Sequence, residues 1–355
     1  MRKEIFCFCV LLEVGGMLAA QEDSVRNAGF FVQRDFNRYF LSDLYSPDIR
    51  VHVGLAPNMP DYNSNNDRTA PYILLNESTL GTEIPVYSWV SRKKNQGIKL
   101  SVSVPASLSL WFDFTETHTA PILNNDYRYA FAEINILKEL KGRILKNIGI
   151  KLIPIQHEST HIGDELTLFR IRKGFPVTRL NLSYESSEAA LIFNDPSGAR
   201  VNRHSFLIGG RVLLKSRPTN GFYTLKPHEG DTTNFPRSVR RIEPYVRYQF
   251  QAPDGPLRIG RFYPVLSAEF RYSIRFGYAY AVYDPSEPDG YTLVTSEESY
   301  VPCINLYAGW RYRFNDRKPD RIGGYFRFYS GNNPHGQFRN IPDYSFWGVA
   351  LVYEH

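Results

Sequence analysis

The chain has 355 residues, enough for one large domain or two ordinary ones, and its 22% charged and 43% hydrophobic residues do not make a disordered composition. The net charge of +6 is modest, and no Lys/Arg block is dense enough to predict nucleic-acid binding. No run of about 18 apolar residues follows the N-terminal segment, so the sequence predicts no transmembrane helix in the mature chain.

The N-terminal stretch is typical of a secretory signal peptide. Arg2 and Lys3 form its positive end, Ile5–Leu12 is apolar, and Leu18-Ala19-Ala20 precedes a polar turn. We therefore expect residues 1–20 to be removed; the alternative is a buried N-terminal strand. Cleavage after Ala20 would leave one of the three cysteines, so no intrachain disulfide would be possible.

The first clear element is IKLSVSVPASLSLWFDF, residues 98–114, with apolar residues at even positions and mainly polar residues at odd positions. Globular strands usually have about five or six residues, whereas a tilted strand that crosses a bilayer needs about 9–11. The length of this alternation favours a membrane-spanning strand.

The same alternation recurs along the chain and predicts about twelve strands. They lie near 49–55, 82–91, 98–114, 127–137, 147–157, 179–193, 204–215, 241–250, 265–282, 303–314, 323–330 and 345–353. One face of each is apolar. The opposite face is predicted to carry Arg211, Arg247, Arg271, Arg275, Arg311, Arg313, Arg327, Glu185, Glu243 and Glu269.

The connections alternate between short turns and long loops, which is typical of an outer-membrane barrel with both termini on the short-turn side. The sequence thus predicts an all-β fold, an antiparallel up-and-down transmembrane β-barrel of about 12 strands. We expect it to cover residues 49–355, after an N-terminal periplasmic segment at 21–48. The alternative is a secreted β-sandwich or jelly roll. The final strand resembles the signal read by the bacterial barrel-assembly machinery, which, with outer-membrane lipids, is an expected partner.

The stretch HESTHIGDE, residues 157–165, contains the chemistry-bearing residues. As a helix it would match the zinc-protease pattern H-E-x-x-H, but Pro154 and Gly163 disfavour a helix here. We expect no metal and no cofactor. As a strand it places His157, Ser159 and His161 on one face.

The His-x-Ser pair resembles the catalytic element of outer-membrane phospholipase A and of lipid A 3-O-deacylase, in which an imidazole activates a serine near the outer rim. That resemblance implies an acyl-ester hydrolase with Ser159 as nucleophile and His157 as base. Two features depart from it. The polar residue expected twelve positions after the serine is Ile171. His157 and Ser159 share the parity of Lys151, which predicts that they face the lumen; the alternative is a change of parity at Pro154, which would turn them outward.

Several segments resemble a bacterial outer-membrane family known only as a domain of unknown function. They are YFLSDLYSPDIRVHV, GTEIPVYSW, FDFTETHTAPILNNDY, HESTHIGDE, LNLSYE and NPHGQF. The resemblance implies a β-barrel at the outer membrane and supplies no reaction.

Three hypotheses about function remain open. The first is a structural or adhesive barrel. The second is a binding or transport barrel in which His161, Asp164, Glu165, His335 and Gln337 gather at the extracellular rim around a small solute. The third is the acyl-ester hydrolase.

Overall fold

A computed structural model of the chain describes residues 25–57, 73–93, 96–115, 120–163, 178–180, 183–197, 203–214, 222–225, 230–233, 240–254, 256–275, 278–283, 291–314, 320–336 and 343–354. Within these ranges the chain forms strands and no helix that is long and apolar enough to span a membrane. The strands are β1 (Val25–Phe30), β2 (Ile49–Ala56), β3 (Ile73–Lys93), β4 (Gln96–Asp113), β5 (Ile122–Ala130), β6 (Glu133–Glu139), β7 (Asn147–Ile162), β8 (Thr178–Leu180), β9 (Ser183–Phe193), β10 (His204–Leu213), β11 (Phe222–Leu225), β12 (Gly230–Thr233), β13 (Ile242–Gln251), β14 (Phe262–Arg275), β15 (Tyr278–Tyr283), β16 (Tyr291–Ser296), β17 (Ser299–Arg313), β18 (Arg321–Gly331) and β19 (Tyr344–Glu354).

The main sheet is a closed antiparallel barrel with twelve strand positions. The positions follow the chain as β2, β3, β4, β5 with β6, β7, β9, β10, β13, β14, β17, β18 and β19. β5 and β6 share one position because both pair with β4 and β7. The barrel closes where β19 pairs with β2, from Trp347–Leu55 to Tyr353–Ile49. The predicted fold class and strand number are confirmed.

Two predicted strands are each divided in the structure. The segment predicted at 179–193 contains β8, which pairs with β11 in a separate three-stranded sheet, and β9, which belongs to the barrel. The segment predicted at 265–282 contains β14 of the barrel and β15 of a separate hairpin with β16. The other strands of these additions, β11, β12 and β16, lie in the predicted long loops.

The two faces of the barrel have opposite character. Alternating residues of β10, β13, β14, β17 and β19 are exposed and apolar on the outside, as the sequence predicts. The inward face holds ion pairs at distances from below 3 Å to 3.2 Å, and these compensate charges that would be costly to bury alone. The pairs are Arg211–Glu243, Arg247–Glu269, Arg271–Glu269, Lys151–Glu188, Arg311–Glu354 and Arg327–Glu77.

The N-terminal segment enters the barrel rather than lying beside it. β1 pairs with residues 87–92 of β3. Residues 34–48, here called the luminal segment, then run through the lumen before β2 begins. Arg34 Nη1 donates to Glu133 Oε1 at 2.6 Å, and Arg247 Nη2 donates to Asp43 Oδ1 at 2.8 Å. The stretch from 34 to 48 therefore lies among the side chains of the barrel wall, and the periplasmic location of residues 21–48 stays a prediction.

The luminal segment is also fastened by packing. The ring of Tyr45 lies among three arginines of the wall, with guanidinium carbons 3.6, 4.8 and 4.8 Å from its centroid, in Arg128, Arg211 and Arg271. Phe40 packs in an apolar cluster with residues of β9, β10 and β13, and Leu41 packs in another with residues of β14, β17, β18 and β19. The segment thus occupies the middle of the lumen, where its aromatic and apolar side chains pack against arginines and apolar residues of the wall.

Candidate functional site

The orientation of β7 changes at a β-bulge. Lys151 and Ile153 point inward, the pairing with β9 shifts between Ile153 and Gln156, and Gln156 then points inward. Pro154 has no N–H to donate to the ladder, and a position without a ladder hydrogen bond is one where a bulge is tolerated. Before the bulge the odd-numbered residues of β7 point inward, and after it the even-numbered residues do.

This reversal corrects the prediction that His157 and Ser159 face the lumen. Both lie on the outer face together with His161, while Glu158 and Thr160 point inward. The pairing partners agree, because His157 lies opposite Tyr129 and Ser159 opposite Tyr127, and both tyrosines are exposed on the outside. The three residues therefore do not close the mouth of the barrel.

β9 brings two further polar side chains to the outer face. Its register with β7 places Glu185 opposite His157 and Ser183 opposite Ser159. Glu185 was predicted to face the lumen; this was wrong, because Tyr184 is the residue of β9 that turns inward here. Ser183 and Glu185 are two residues apart in LNLSYE, and this spacing is the one sequence feature that indicates they share a face of the strand.

The outer cluster contains two imidazole–hydroxyl contacts. Ser159 Oγ lies 3.4 Å from His161 Nε2, and Ser183 Oγ lies 3.4 Å from His157 Nε2. His157 Nδ1 lies 3.6 Å from Glu185 Oε1. The serine within reach of His157 is thus Ser183 on the neighbouring strand, rather than Ser159 in the predicted pair.

The inner side of the same strands borders a cavity, here called the chamber. It encloses about 850 Å³ of space, including its opening to solvent, and lies between the luminal segment at Leu44–Tyr45 and residues 334–336. Its charged side chains are paired: Glu158 bonds to Arg128 and Arg211, and Glu77 bonds to Arg327. Hydroxyl groups complete the lining, contributed by Thr79, Ser107, Ser109, Thr160, Tyr184 and Tyr307.

Residues 332–336, here called the lid, cover the chamber. His335 Nδ1 lies 3.2 Å from Asp126 Oδ2, and its Nε2 lies 3.4 Å from Glu77 Oε1. Gly336 N donates to Asp126 Oδ1 at 3.1 Å. A Cβ on Gly336 would lie 2.6 Å from Thr160 Cγ2, so glycine permits this close seating. The lid thus meets the inward half of the HESTHIGDE strand.

The electrostatics of the lid depend on two carboxylates. Burial alone would lower the pKa of His335, but its hydrogen bonds and ion pairs with Asp126 and Glu77 outweigh that effect and raise the pKa to about 9. His335 is therefore an imidazolium at neutral pH. The sequence singled out His335 but gave no signal for Asp126 or Glu77, which precede it by more than 200 residues.

The remaining predicted site residues have different outcomes. Asp164, Glu165 and Gln337 lie outside the described residues, as does Ile171. His161 lies on the outer face and is separated from His335 by the wall. In the described part of the chain, no group of three or more His, Cys, Asp or Glu side chains is placed to hold a metal ion.

Comparison with solved structures finds barrels with which this chain shares little sequence. Outer membrane phospholipase A from Escherichia coli has 9% identity and a TM-score of 0.41, with 87% of this chain and 93% of that chain covered. The calcium-bound dimer of the Salmonella typhi phospholipase has 11% identity and a TM-score of 0.41, with 91% and 94% covered. The translocator domain of the autotransporter NalP from Neisseria meningitidis has 8% identity and a TM-score of 0.37, with 87% and 89% covered.

Comparisons at the level of sequence give no relative. No protein-family model matches the chain, and no curated protein matches it.

Proposed function

We propose that the chain is an integral outer-membrane β-barrel, exported by a signal peptide at residues 1–20 and inserted by the assembly machinery that reads its last strand. The apolar outer face supports this proposal, since a closed barrel leaves no unpaired strand edge in hydrocarbon. The segments HESTHIGDE and NPHGQF support membership of the outer-membrane family of unknown function.

The proposed activity is the binding of a small polar solute in the chamber, and not open diffusion through a pore. The observation that carries this proposal is the luminal segment, which fills the lumen below the chamber and is held by buried contacts such as Asp43–Arg247. A barrel blocked in this way holds a solute at the mouth and passes it only when the segment moves. A purely structural barrel would not need the chamber.

The chemistry of the lining indicates which solutes fit. The cations Arg128, Arg327 and His335 already face the anions Glu158, Glu77 and Asp126, so the lining is close to electrically balanced. The uncharged polar groups of the lining are mainly hydroxyls beside tyrosine rings. Several of them already make one hydrogen bond, Tyr184 to Glu158, Thr160 to Asn124 and Thr79 with Ser109, and a hydroxyl can make further bonds to a ligand. A neutral solute with several hydroxyl groups therefore fits better than a free anion.

Two measurements test this proposal. In planar bilayers the reconstituted protein is expected to show no steady wide-pore conductance, whereas a double variant Arg34→Ala and Asp43→Ala, which loosens the luminal segment, is expected to conduct. In equilibrium dialysis, glucose or sucrose is expected to bind better than inorganic phosphate, and Ser107→Leu, which places an apolar side chain in the chamber and removes a hydroxyl, is expected to weaken binding. Steady conductance of the unaltered protein, or binding unaffected by Ser107→Leu, would refute the proposal.

Acyl-ester hydrolysis is the second candidate function. One observation favours it: His157 and Ser159 face the outside of the barrel, where acyl chains would lie. The pairing of His157 with Ser183 changes which serine would act.

A further inference from the structure

The outer faces of β7 and β9 carry polar side chains where a membrane barrel is normally apolar. The wall around these residues includes the exposed apolar side chains of Phe131, Ile155 and Leu191, and it is interrupted by His157, Ser159, His161, Ser183 and Glu185. Ionisable groups that face lipid cost free energy and are rare, so a carboxylate beside an imidazole on this face calls for a functional explanation.

We propose that Ser183, His157 and Glu185 form a catalytic triad that hydrolyses carboxylic esters of long acyl chains at the outer face of the barrel. The inference rests on the proposed membrane location and goes beyond solute binding in the chamber. It assigns Ser183 as the nucleophile, His157 as the general base and Glu185 as the positioning residue for the imidazole.

The geometry of the three side chains supports these roles. Ser183 and Glu185 contact opposite nitrogens of the His157 ring, with Oγ 3.4 Å from Nε2 and Oε1 3.6 Å from Nδ1. A carboxylate beside Nδ1 favours the tautomer that carries its proton there, which leaves the lone pair of Nε2 directed at the serine, the arrangement that a nucleophile and its base require. Such contacts are commonly long in the absence of substrate and shorten when it binds.

The backbone holds this arrangement in place. Ser183 and Glu185 are two residues apart on β9 and so lie on one face, and His157 is directly opposite Glu185 in the ladder. The ring of His157 also packs against Tyr129, with centroids 5.2 Å apart. Without the bulge after Ile153, His157 would point into the lumen and the triad could not form.

The reaction is balanced with water as the second reactant. His157 Nε2 takes the proton of the Ser183 hydroxyl as Oγ attacks the ester carbonyl, and the same proton passes to the alcohol oxygen as the C–O bond breaks. Water then attacks the acyl-serine, giving one proton to His157 and releasing the carboxylic acid as Ser183 recovers its proton. Glu185 stabilises the imidazolium that forms in both steps.

A neighbouring hollow fits the acyl part of such a substrate. It is a shallow apolar depression on the same outer wall, and Tyr129 lines it and also packs against His157. Its lining includes Ile49, Leu80, Ala106, Leu108, Tyr127 and Tyr129. An acyl chain in this hollow would reach the triad by passing over Tyr129, without leaving the bilayer.

The direct test is covalent labelling. The full chain, folded in detergent micelles, is treated with a long-chain alkyl fluorophosphonate, and the modified residue is located by peptide mass spectrometry. The expected adduct is on Ser183, with little labelling of the variant Ser183→Ala and unchanged labelling of Ser345→Ala, a serine of β19 that pairs with Ser330 away from the cluster. An adduct on Ser159, or no adduct on a chain that migrates as a folded barrel, would overturn the inference.

Kinetics separate the roles of the three residues. Ser183→Ala is expected to lower ester hydrolysis at least about 10³-fold. Glu185→Gln is expected to lower kcat and alter its pH profile, and Glu185→Asp to restore part of the activity, which a merely structural role would not do. Phosphatidylethanolamine vesicles and lipopolysaccharide are tested separately to show which ester the site accepts. If the protein cleaves neither substrate, the proposal is contradicted. Folding and solute binding are measured independently of ester hydrolysis. An absence of hydrolysis would therefore contradict the triad but not the proposal of a barrel filled by the luminal segment.

Discussion

The imidazole of His335 stacks on the indole of Trp111, with ring centroids 4.5 Å apart and ring planes 12° from parallel. Trp111 is completely buried and also meets the edge of Tyr344, within an apolar cluster that includes Leu75 and Phe346. The lid is therefore seated on an apolar base and fixed by charged groups at its edge. These two kinds of contact respond differently to pH.

The lid is expected to loosen as the pH rises. The pKa of His335 is raised to about 9, from about 6.5 in an unfolded chain, so its charge stabilises the seated lid fully below about pH 6.5, and this stabilisation is lost as the pH rises through about 9. The groups involved are Asp126 on β5 and Glu77 on β3, the latter shared with Arg327 on β18. Hydrogen exchange of the peptide covering residues 332–336, corrected for its intrinsic rate, measures this loosening.

Two variants make the pH test specific. Asp126→Asn is expected to expose the lid at every pH and to remove most of the pH dependence. His204→Asn changes an exposed histidine that is paired with Tyr248 on the outer face, and this variant is expected to keep the full pH dependence of lid protection. Lid protection that stays constant from about pH 6 to pH 10 would contradict the role of His335.

Removing the carboxylate of Asp43 is expected to destabilise the barrel strongly. Asp43 and its partner Arg247 are 2% and 1% exposed, so Asp43→Ala leaves a buried guanidinium with one anion fewer, at a cost of about 3–5 kcal/mol. The matched control is Asp35→Ala, since the side chain of Asp35 is 62% exposed and lies 3.6 Å from Lys99 Nζ. That change is expected to cost less than about 1 kcal/mol. Urea unfolding in lipid vesicles measures both, and equal effects would argue against a fastened luminal segment.

The contact between the wall and the luminal segment is also tested by adding a methyl group. A Cβ on Gly81 would lie 2.3 Å from the carbonyl carbon of Pro47, whereas a Cβ on Gly324 would have nothing within 4 Å. Gly81→Ala is therefore expected to shift the segment and cost about 1–3 kcal/mol, and Gly324→Ala to change stability by no more than about 0.5 kcal/mol. Thermal unfolding compares the two variants. If Gly81→Ala were as stable as Gly324→Ala, residues 34–48 would not lie against β3 as described.

Much of the barrel could be predicted from the sequence because one physical constraint acts on every strand. Side chains alternate between an apolar exterior and a polar lumen, so residues such as Phe206 and Arg211 on β10 reveal their faces directly. The alternation cannot show where it is interrupted. The bulge after Ile153 reverses the faces of His157 and Ser159. Pro154 marks a place where such a bulge is tolerated, but a proline does not require one.

The luminal segment could not be predicted for a different reason. Residues 34–48 have no periodicity, and the contacts that hold them join distant parts of the chain, such as Asp43 and Arg247, which are 204 residues apart. The chamber and the Ser183–His157–Glu185 cluster likewise depend on register between strands. Sequence spacing alone does not determine register when a bulge intervenes.

The central claim, that the barrel's outer face contacts acyl chains while its interior is filled, is tested most directly by tryptophan quenching. Trp310 and Trp347 are 52% and 44% exposed on the outer face, whereas Trp111 is 0% exposed in the interior. Single-tryptophan variants reconstituted with brominated lipids should show strong quenching of Trp310 and Trp347 and little quenching of Trp111. Equal quenching of all three, or none at Trp310 and Trp347, would contradict the account.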